Sequence, residues 1–242
     1  MKLKTGVTKE GKLTARQMTT VGDTGVHATL AAGVMYFGFV AGLSHLQKVP
    51  NIKWDGYVVY TNNPVRAGAR RGLSNPEVTW AVESQMDIIA EKLDIDPVEL
   101  RLNNLFKQGE KSSLGWKFDS YGLPECINKV TAAANWSEKR KKKVPNRGIG
   151  MACVAHVTDA VCYGGMTTSS VTIFGREDGT FTLYSGASDI GTGVWTIAQQ
   201  IVAEILGARL EDIRVIGGDT SNSTFELGCY ASRGCYGVGN AS

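Results

Sequence analysis

The sequence has no two cysteines at C-x-x-C spacing, although it carries five: Cys126, Cys153, Cys162, Cys229 and Cys235. That removes the common zinc knuckle and the thioredoxin-type redox pair from consideration. Its three histidines, His27, His45 and His156, are scattered and show no metal-ligand spacing. No P-loop, no G-x-G-x-x-G and no Ser/His/Asp or Cys/His arrangement can be read from spacing. Charge of one sign is scarce too, since a net +3 over 242 residues leaves no electrostatic footprint for nucleic acid. The basic run Lys139 to Lys143 outweighs that excess alone and reads as a solvated linker. The longest apolar stretch, Ala28 to Leu43, is interrupted by Gly33, Gly38 and Gly42. It is short for a membrane span and reads as a buried segment. No secretory signal opens the chain, so reduced thiols in the cytoplasm are the default expectation. Cys229 and Cys235 read as buried thiols rather than ligands.

Glycine is abundant, at 29 residues, and its placement organises the chain. The strand-like run Thr180 to Tyr184 meets Gly186, Gly191 and Gly193. Apolar residues then recur at Val194, Ile197, Ala198, Ile201, Val202, Ile205 and Leu206, the spacing of one helix face. Strand, glycine loop and helix aim free backbone N–H groups at one point, which suits an anion. The same pattern also serves a tight turn with no ligand, and both readings stand at this level.

Elsewhere the residues predict a mixed α/β (α+β) chain. A hairpin has arms Leu3 to Val7 and Leu13 to Thr19 around Gly11. Gly56 to Thr61 is a strand. The loop Ala67 to Glu77 ends in Asn75, a good N-cap, and Pro76, which suits a first helical turn. The helix beyond buries Val78, Ala81, Val82, Met86, Ile89 and Leu93. A second helix opens on Asp96, Pro97 and Glu99, like a capping box, and a third runs from about Pro124 to Ala134. Ser137 to Arg147 is charge-dense and is expected to be a structureless linker. Strands follow at Gly148 to Val157, Met166 to Phe174 and Leu210 to Ile216, with an incipient helix after Gly228 to Gly234. The domains are therefore 1–136 and 148–242, joined by 137–147. Among acid/base candidates, Asp189 and Asp219 sit beside glycine turns and read as capping residues. Glu77 stabilises its own helix start, and Glu204 reads as a solvated carboxylate.

Three glycine-containing loops precede helices, around Arg71, Thr192 and Ser232. Two of them carry arginine, Arg70 with Arg71, and Arg233. Helix starts with guanidinium forks suit a phosphorylated or otherwise anionic cofactor.

These stretches resemble the molybdenum-binding large subunit of the xanthine dehydrogenase/aldehyde oxidase family over essentially the whole chain. Gly68-Ala69-Arg70-Arg71-Gly72-Leu73-Ser74-Asn75-Pro76-Glu77 is similar to the family's G-A-[FY]-R-G-[FY]-G-x-P-[QE]. Asp96 to Asn104 is similar to D-P-[VL]-E-[LF]-R-x-x-N. Gly186 to Thr196, with Gln200 to Gly207, is similar to G-x-x-[DE]-x-G-Q-G-x-x-T and Q-x-x-A-E-x-L-G. Asp219-Thr220 and Ala231-Ser232-Arg233 complete the order. The wording Leu227 to Arg233 looks closest to the carbon monoxide dehydrogenase and 4-hydroxybenzoyl-CoA reductase branch.

The resemblance implies two partial molybdopterin-binding subdomains and a molybdenum–molybdopterin cofactor, in many bacterial members a cytosine dinucleotide. It implies hydroxylation of an aldehyde or N-heteroaromatic substrate with water as the oxygen source. Iron–sulfur clusters and FAD are expected on partner chains or domains, together with the remaining parts of the molybdenum subunit. No nucleic acid and no membrane is implied. By the same resemblance, Arg71, Gly72, Gly191, Thr192, Gly193, Ala231, Ser232 and Arg233 hold the cofactor, while Arg70, Leu73 and Ser74 shape the substrate pocket. The three pocket residues all depart from the family pattern: Arg70 and Leu73 replace aromatics, and Ser74 replaces glycine. Thr192 stands where the family has Gln. The family's G-G-G-F-G loop and its G-x-G-E segment with the glutamate base do not occur in the 242 residues. No catalytic residue and no protein ligand to a metal is therefore assigned. The expectation is a truncated gene product or one piece of a split subunit. The alternative is a non-catalytic remnant serving as a structural or interaction module.

Overall fold

The alternating residues at the start of the chain build the expected hairpin. Strands β1 (Lys2–Val7) and β2 (Leu13–Gly25) pair antiparallel, from Lys2 opposite Thr19 to Gly6 opposite Ala15. Gly11 lies near the turn at φ 78°, a conformation open to glycine. The second arm runs on to Gly25, past the expected end at Thr19. The structure is a computed structural model and describes residues 1–28, 30–64, 68–142, 144–156, 158 and 168–242. The sequence readings that touch Ala67, Lys143, Val157, Cys162 and Met166 fall there outside the described residues. The chain forms two compact units, Met1–His156 and Val157–Ser242.

In the first unit β3 (Asn51–Tyr60) lies parallel to β2. A parallel neighbour needs a crossover, and this one is helix α1 (Ala31–Gly38), which continues into a π-helical turn at Phe39–Leu43. The glycines in this apolar run have a packing role. A Cβ at Gly42 would stand 2.7 Å from the Val78 side chain, and one at Gly38 would stand 3.0 Å from it. Their absence lets the crossover press on α2 (Asn75–Leu93). The run is thus buried, as expected, through Phe37, Val40, Ala41 and Leu43. No helix among the described residues is long and apolar enough to cross a membrane. Helix α2 buries Val78, Val82, Met86, Ile89 and Ala90, while Ala81 and Leu93 are only half-buried. Helix α3 (Pro97–Leu102) opens as the sequence predicts. The Asp96 carboxylate accepts the N–H of Val98 at 2.8 Å and of Glu99 at 3.4 Å. Helices α4 (Leu123–Ala133) and α5 (Trp136–Lys141) follow.

Several expectations are corrected. Asn75 is the first residue of α2 and not its cap: Ser74 precedes it, and the buried Asn75 amide donates to the Ala155 carbonyl at 2.7 Å. The charged run is not structureless. It begins as α5, where Trp136 is buried and its indole N–H donates to Asp96 at 3.0 Å. Residues 148–156 form no strand. Their alternation is that of an extended segment with one side, Ile149, Met151 and Cys153, against the core of the first unit. Its backbone is tied to a side chain instead of a ladder, the Cys153 N–H donating to Glu83 at 2.8 Å.

The second unit repeats the plan. Strands β4 (Val171–Gly175) and β5 (Phe181–Ser185) form an antiparallel hairpin, helix α6 (Val194–Leu206) crosses over, and β6 (Ile213–Gly217) pairs parallel to β5. Residues 210–212 form a 3₁₀ turn, so β6 starts later than the expected Leu210. Helix α6 buries Val194, Ala198 and Val202 against Leu183 and Ile213. Gly207 ends it at φ 64°. The segment after Ala231 forms α7 (Gly234–Ala241). So short a helix is marginal alone; its buried Val238 packs into the α6 core.

Candidate cofactor site

In the first unit the loop before α2 is wound left-handed. Gly72, Leu73 and Ser74 have φ of 92°, 48° and 66°. Turn bonds hold it, from Leu73 N–H to Arg70 C=O at 2.8 Å and from Asn75 N–H to Gly72 C=O at 2.9 Å. Non-glycine residues rarely take such angles, and runs of them mark strain held by the surrounding fold. Arg70 and Arg71 are exposed, and Leu73 and Ser74 half-buried. Beneath the loop, the Asn75 amide also reaches His156 Nδ1 at 3.1 Å, and burial lowers the His156 pKa.

In the second unit the Thr192 and Ser232 loops lie side by side. Cys229 Sγ is 2.9 Å from the Ser188 carbonyl, and a Cβ at Gly234 would stand 3.5 Å from Val194. The start of α6 and the start of α7 are therefore neighbours. Their chemistry differs. At α6 one carboxylate oxygen of Asp189 accepts the N–H groups of Gly191, Thr192 and Gly193 at 2.9, 3.0 and 3.1 Å. Asp189 is a loop-capping residue, as its sequence position suggested, and it already supplies the anion this turn can hold. Gly191 and Gly193 have φ of 96° and 71°.

At α7, Ala231 and Ser232 are left-handed, with φ of 50° and 56°. Ser232 is exposed and Ala231 buried. Arg233 turns inward and is 1% exposed. Its guanidinium donates to the Glu226 carboxylate, to the Gly228 and Thr168 carbonyls at 2.9 and 2.8 Å, and to Ser169 Oγ at 2.8 Å. Arg233 Nε and Glu226 Oε2 are buried without a partner among the described residues. The guanidinium is a tether for the loop. The first-turn N–H groups of α7, at Gly234, Cys235 and Tyr236, precede the first intrahelical bond, from Gly237 N–H to Arg233 C=O. Cys235 is exposed and Cys229 half-buried, which corrects the expectation of two buried thiols.

Sequence reasoning missed a buried ionic cluster in the first unit. Glu83, on α2, accepts Arg101 Nε at 2.8 Å and Gln47 Nε2 at 2.7 Å, and Gln47 in turn accepts from Arg16 at 2.8 Å. Arg16, Glu83 and Arg101 are almost fully buried. Burial lowers the Arg16 pKa to about 10, with Glu83 opposing the shift. Burial also acts to lower Arg101, but Glu83 and Asp87 outweigh it and hold the guanidinium above its ordinary value. The available signal was Arg101 in the Asp96-Pro97-Val98-Glu99-Leu100-Arg101 stretch, a charge on the otherwise apolar side of a capped helix. Among the described residues no group of His, Cys, Asp and Glu could hold a metal ion.

An exposed serine beside helix-start N–H groups can hold an anion. The sequence agrees. Residues 1–105 and residues 127–242 each match a family described as molybdopterin cofactor-binding domain. Both matched stretches thus belong to molybdopterin cofactor-binding domain families. It is 34% identical over 239 residues to the xanthine dehydrogenase molybdenum-binding subunit of Escherichia coli O157:H7, covering 96% of this chain and 31% of that one. It is 29% identical over 202 residues to the aldehyde oxidoreductase of Megalodesulfovibrio gigas, covering 80% of this chain and 21% of that one. The solved aldehyde oxidoreductase from Desulfovibrio desulfuricans superposes with a TM-score of 0.74 at 26% identity, over 89% of this chain and 24% of that one. The chain belongs to the molybdenum-binding subunits of the xanthine dehydrogenase/aldehyde oxidase family and spans about a third of the length of such relatives.

Proposed function

We propose that this chain holds part of a molybdenum–pyranopterin cofactor within an oxidoreductase of the molybdenum hydroxylase type. The observation that carries the reading is the start of α7, where the exposed Ser232 and the first-turn N–H groups of Gly234, Cys235 and Tyr236 stand together. A phosphate of the cofactor, in its cytosine dinucleotide form, suits these donors. Thr192, on the adjoining loop, offers a second hydroxyl. Gly191, Gly193, Ala231 and Arg233 serve by shaping the two loops, since Asp189 occupies the N–H groups of one and Arg233 is committed inward in the other. In the first unit Arg71 and Gly72 are the proposed cofactor contacts, and Arg70, Leu73 and Ser74 the proposed wall of the substrate pocket.

When bound, the cofactor supplies a two-electron oxidation of carbon with water as the oxygen source. An aldehyde or N-heteroaromatic ring is the proposed substrate class. Electrons leave to iron–sulfur and FAD partners, and the rest of the molybdenum subunit supplies the base. With Cys126, Cys153, Cys229 and Cys235 unpaired, we take the assembly to be cytoplasmic.

Cytidine diphosphate and inorganic pyrophosphate are suitable probes. Titrated into the isotopically labelled chain, they are expected to shift the amides of Ser232 and Gly234 to Tyr236, and Ser232→Asp is expected to abolish the effect. Shifts confined to other surfaces, or none, would remove the reading.

A further inference from the structure

The first unit holds a surface that its own elements leave uncovered. β3 is an edge strand, paired on one side with β2 and with no strand on its other side among the described residues. The opposite edge, β1, is guarded by Lys2 and Lys4 and by an irregularity at Gly6/Val7, devices that discourage further pairing. β3 carries Lys53 and Asp55 in its first half only. Its second half, Gly56-Tyr57-Val58-Val59-Tyr60, is an apolar, unprotected edge.

The adjoining sheet face shows the same want of cover. Between Arg16 and Thr24 the even-numbered residues of β2 look inward, with Met18 and Thr20 buried and Thr20 bonded to Trp54. The odd-numbered ones look outward, and there Val21 sits directly opposite Tyr57, with Val59 two positions along. Val21 is 66% exposed, Tyr57 56% and Val59 43%. Parallel pairs are normally covered on both faces, and an exposed row of valine and tyrosine beside an open edge is the pattern used for strand addition.

We propose that β3 is a docking edge, and that its occupant is a strand from the part of a full-length molybdenum-binding subunit that lies outside these residues. The choice of occupant rests on the family reading and on length: the chain matches 31% of the Escherichia coli O157:H7 subunit, so most of such a subunit is further polypeptide. The short β6 edge of the second unit, five residues with exposed Arg214, shows no comparable run.

The test mixes this chain with the complementary portion of that Escherichia coli subunit, made as a separate polypeptide lacking the matched third. The expected result is a one-to-one complex by light scattering, slowed amide exchange along Gly56 to Tyr60, and at least about tenfold weaker association for Tyr57→Lys. Val59→Lys, also at an exposed position, repeats the measurement, and circular dichroism of both variants checks their fold. A complex in which β3 exchanges as freely as before would overturn the docking edge while leaving the cofactor reading intact. Failure to form a complex would overturn it too, as would concentration-dependent protection of β3 in the chain alone, which would make a second copy the occupant.

Discussion

Ser74 shows how a family pattern is a statement about backbone angles. It stands where the resembled family pattern has glycine, and its φ is 66°. An L-residue pays roughly 1–2 kcal/mol for that conformation, and glycine gives some of this back through its freer unfolded chain. Ser74→Gly is expected to raise stability by about 0.5–1 kcal/mol, read as a shifted urea midpoint at constant slope. His45 is a second residue whose surroundings set its behaviour. It packs 4.9 Å from the Trp116 ring, its Nε2 has no partner among the described residues, and burial lowers its pKa from 6.5 to about 4. Between those two values the unfolded chain binds a proton that the folded chain refuses, so stability falls as pH drops through this window. His45→Gln is expected to flatten that part of the profile relative to the parent, measured by denaturant midpoints on either side of it. Cys153 is similar in kind. Burial, with Glu83 adding, pushes its thiol up to about 11. Iodoacetamide should modify Cys126 and Cys235, both exposed, in the native chain. Peptide mapping should find Cys153 labelled only after unfolding.

At the level of elements, what the sequence revealed was what local chemistry decides. Asp96 capped α3 as read, and the apolar stripe of α6 and the hairpin of β1 and β2 formed where periodicity put them. Misreadings arose where distant residues decide. The stretch 148–156 alternates like a strand, but its partner is a carboxylate seventy residues away in the chain. Arg101 looked like one more family letter, whereas it closes the ionic cluster on Glu83. A buried pair broken on one side leaves an uncompensated charge. Arg101→Ala is therefore expected to cost about 3–5 kcal/mol, measured as a loss of thermal and urea stability. Half of the candidate site was legible in the same sense. The glycine positions and helix starts could be read, but the inward turn of Arg233 and the occupation of the Thr192 loop by Asp189 depend on tertiary partners.

The whole molecule uses one plan twice. A hairpin, a helical crossover, a parallel third strand, a left-handed loop and a helix occur in that order in each unit, with sheet orders β1-β2-β3 and β4-β5-β6. Consecutive left-handed residues, Leu73 with Ser74 and Ala231 with Ser232, precede the closing helix in both. No repeated sequence announces this, because the repeat lives in strand direction and backbone angle, which different side chains can satisfy. Each unit also has its own buried Arg–carboxylate pair, Arg101 with Glu83 and Arg233 with Glu226, and its own apolar clusters. Residues without shared partners act independently on stability, so damage to one pair should stay in its own unit. Arg233→Ala strands Glu226, whose second oxygen already lacks a partner among the described residues. Native-state exchange should then accelerate in β4, β5, α6 and α7 while the amides of β1, β2 and α2 keep their protection. Arg101→Ala should give the reverse pattern. If either variant loosened both units equally, the stability of this chain would have to be treated as one cooperative whole.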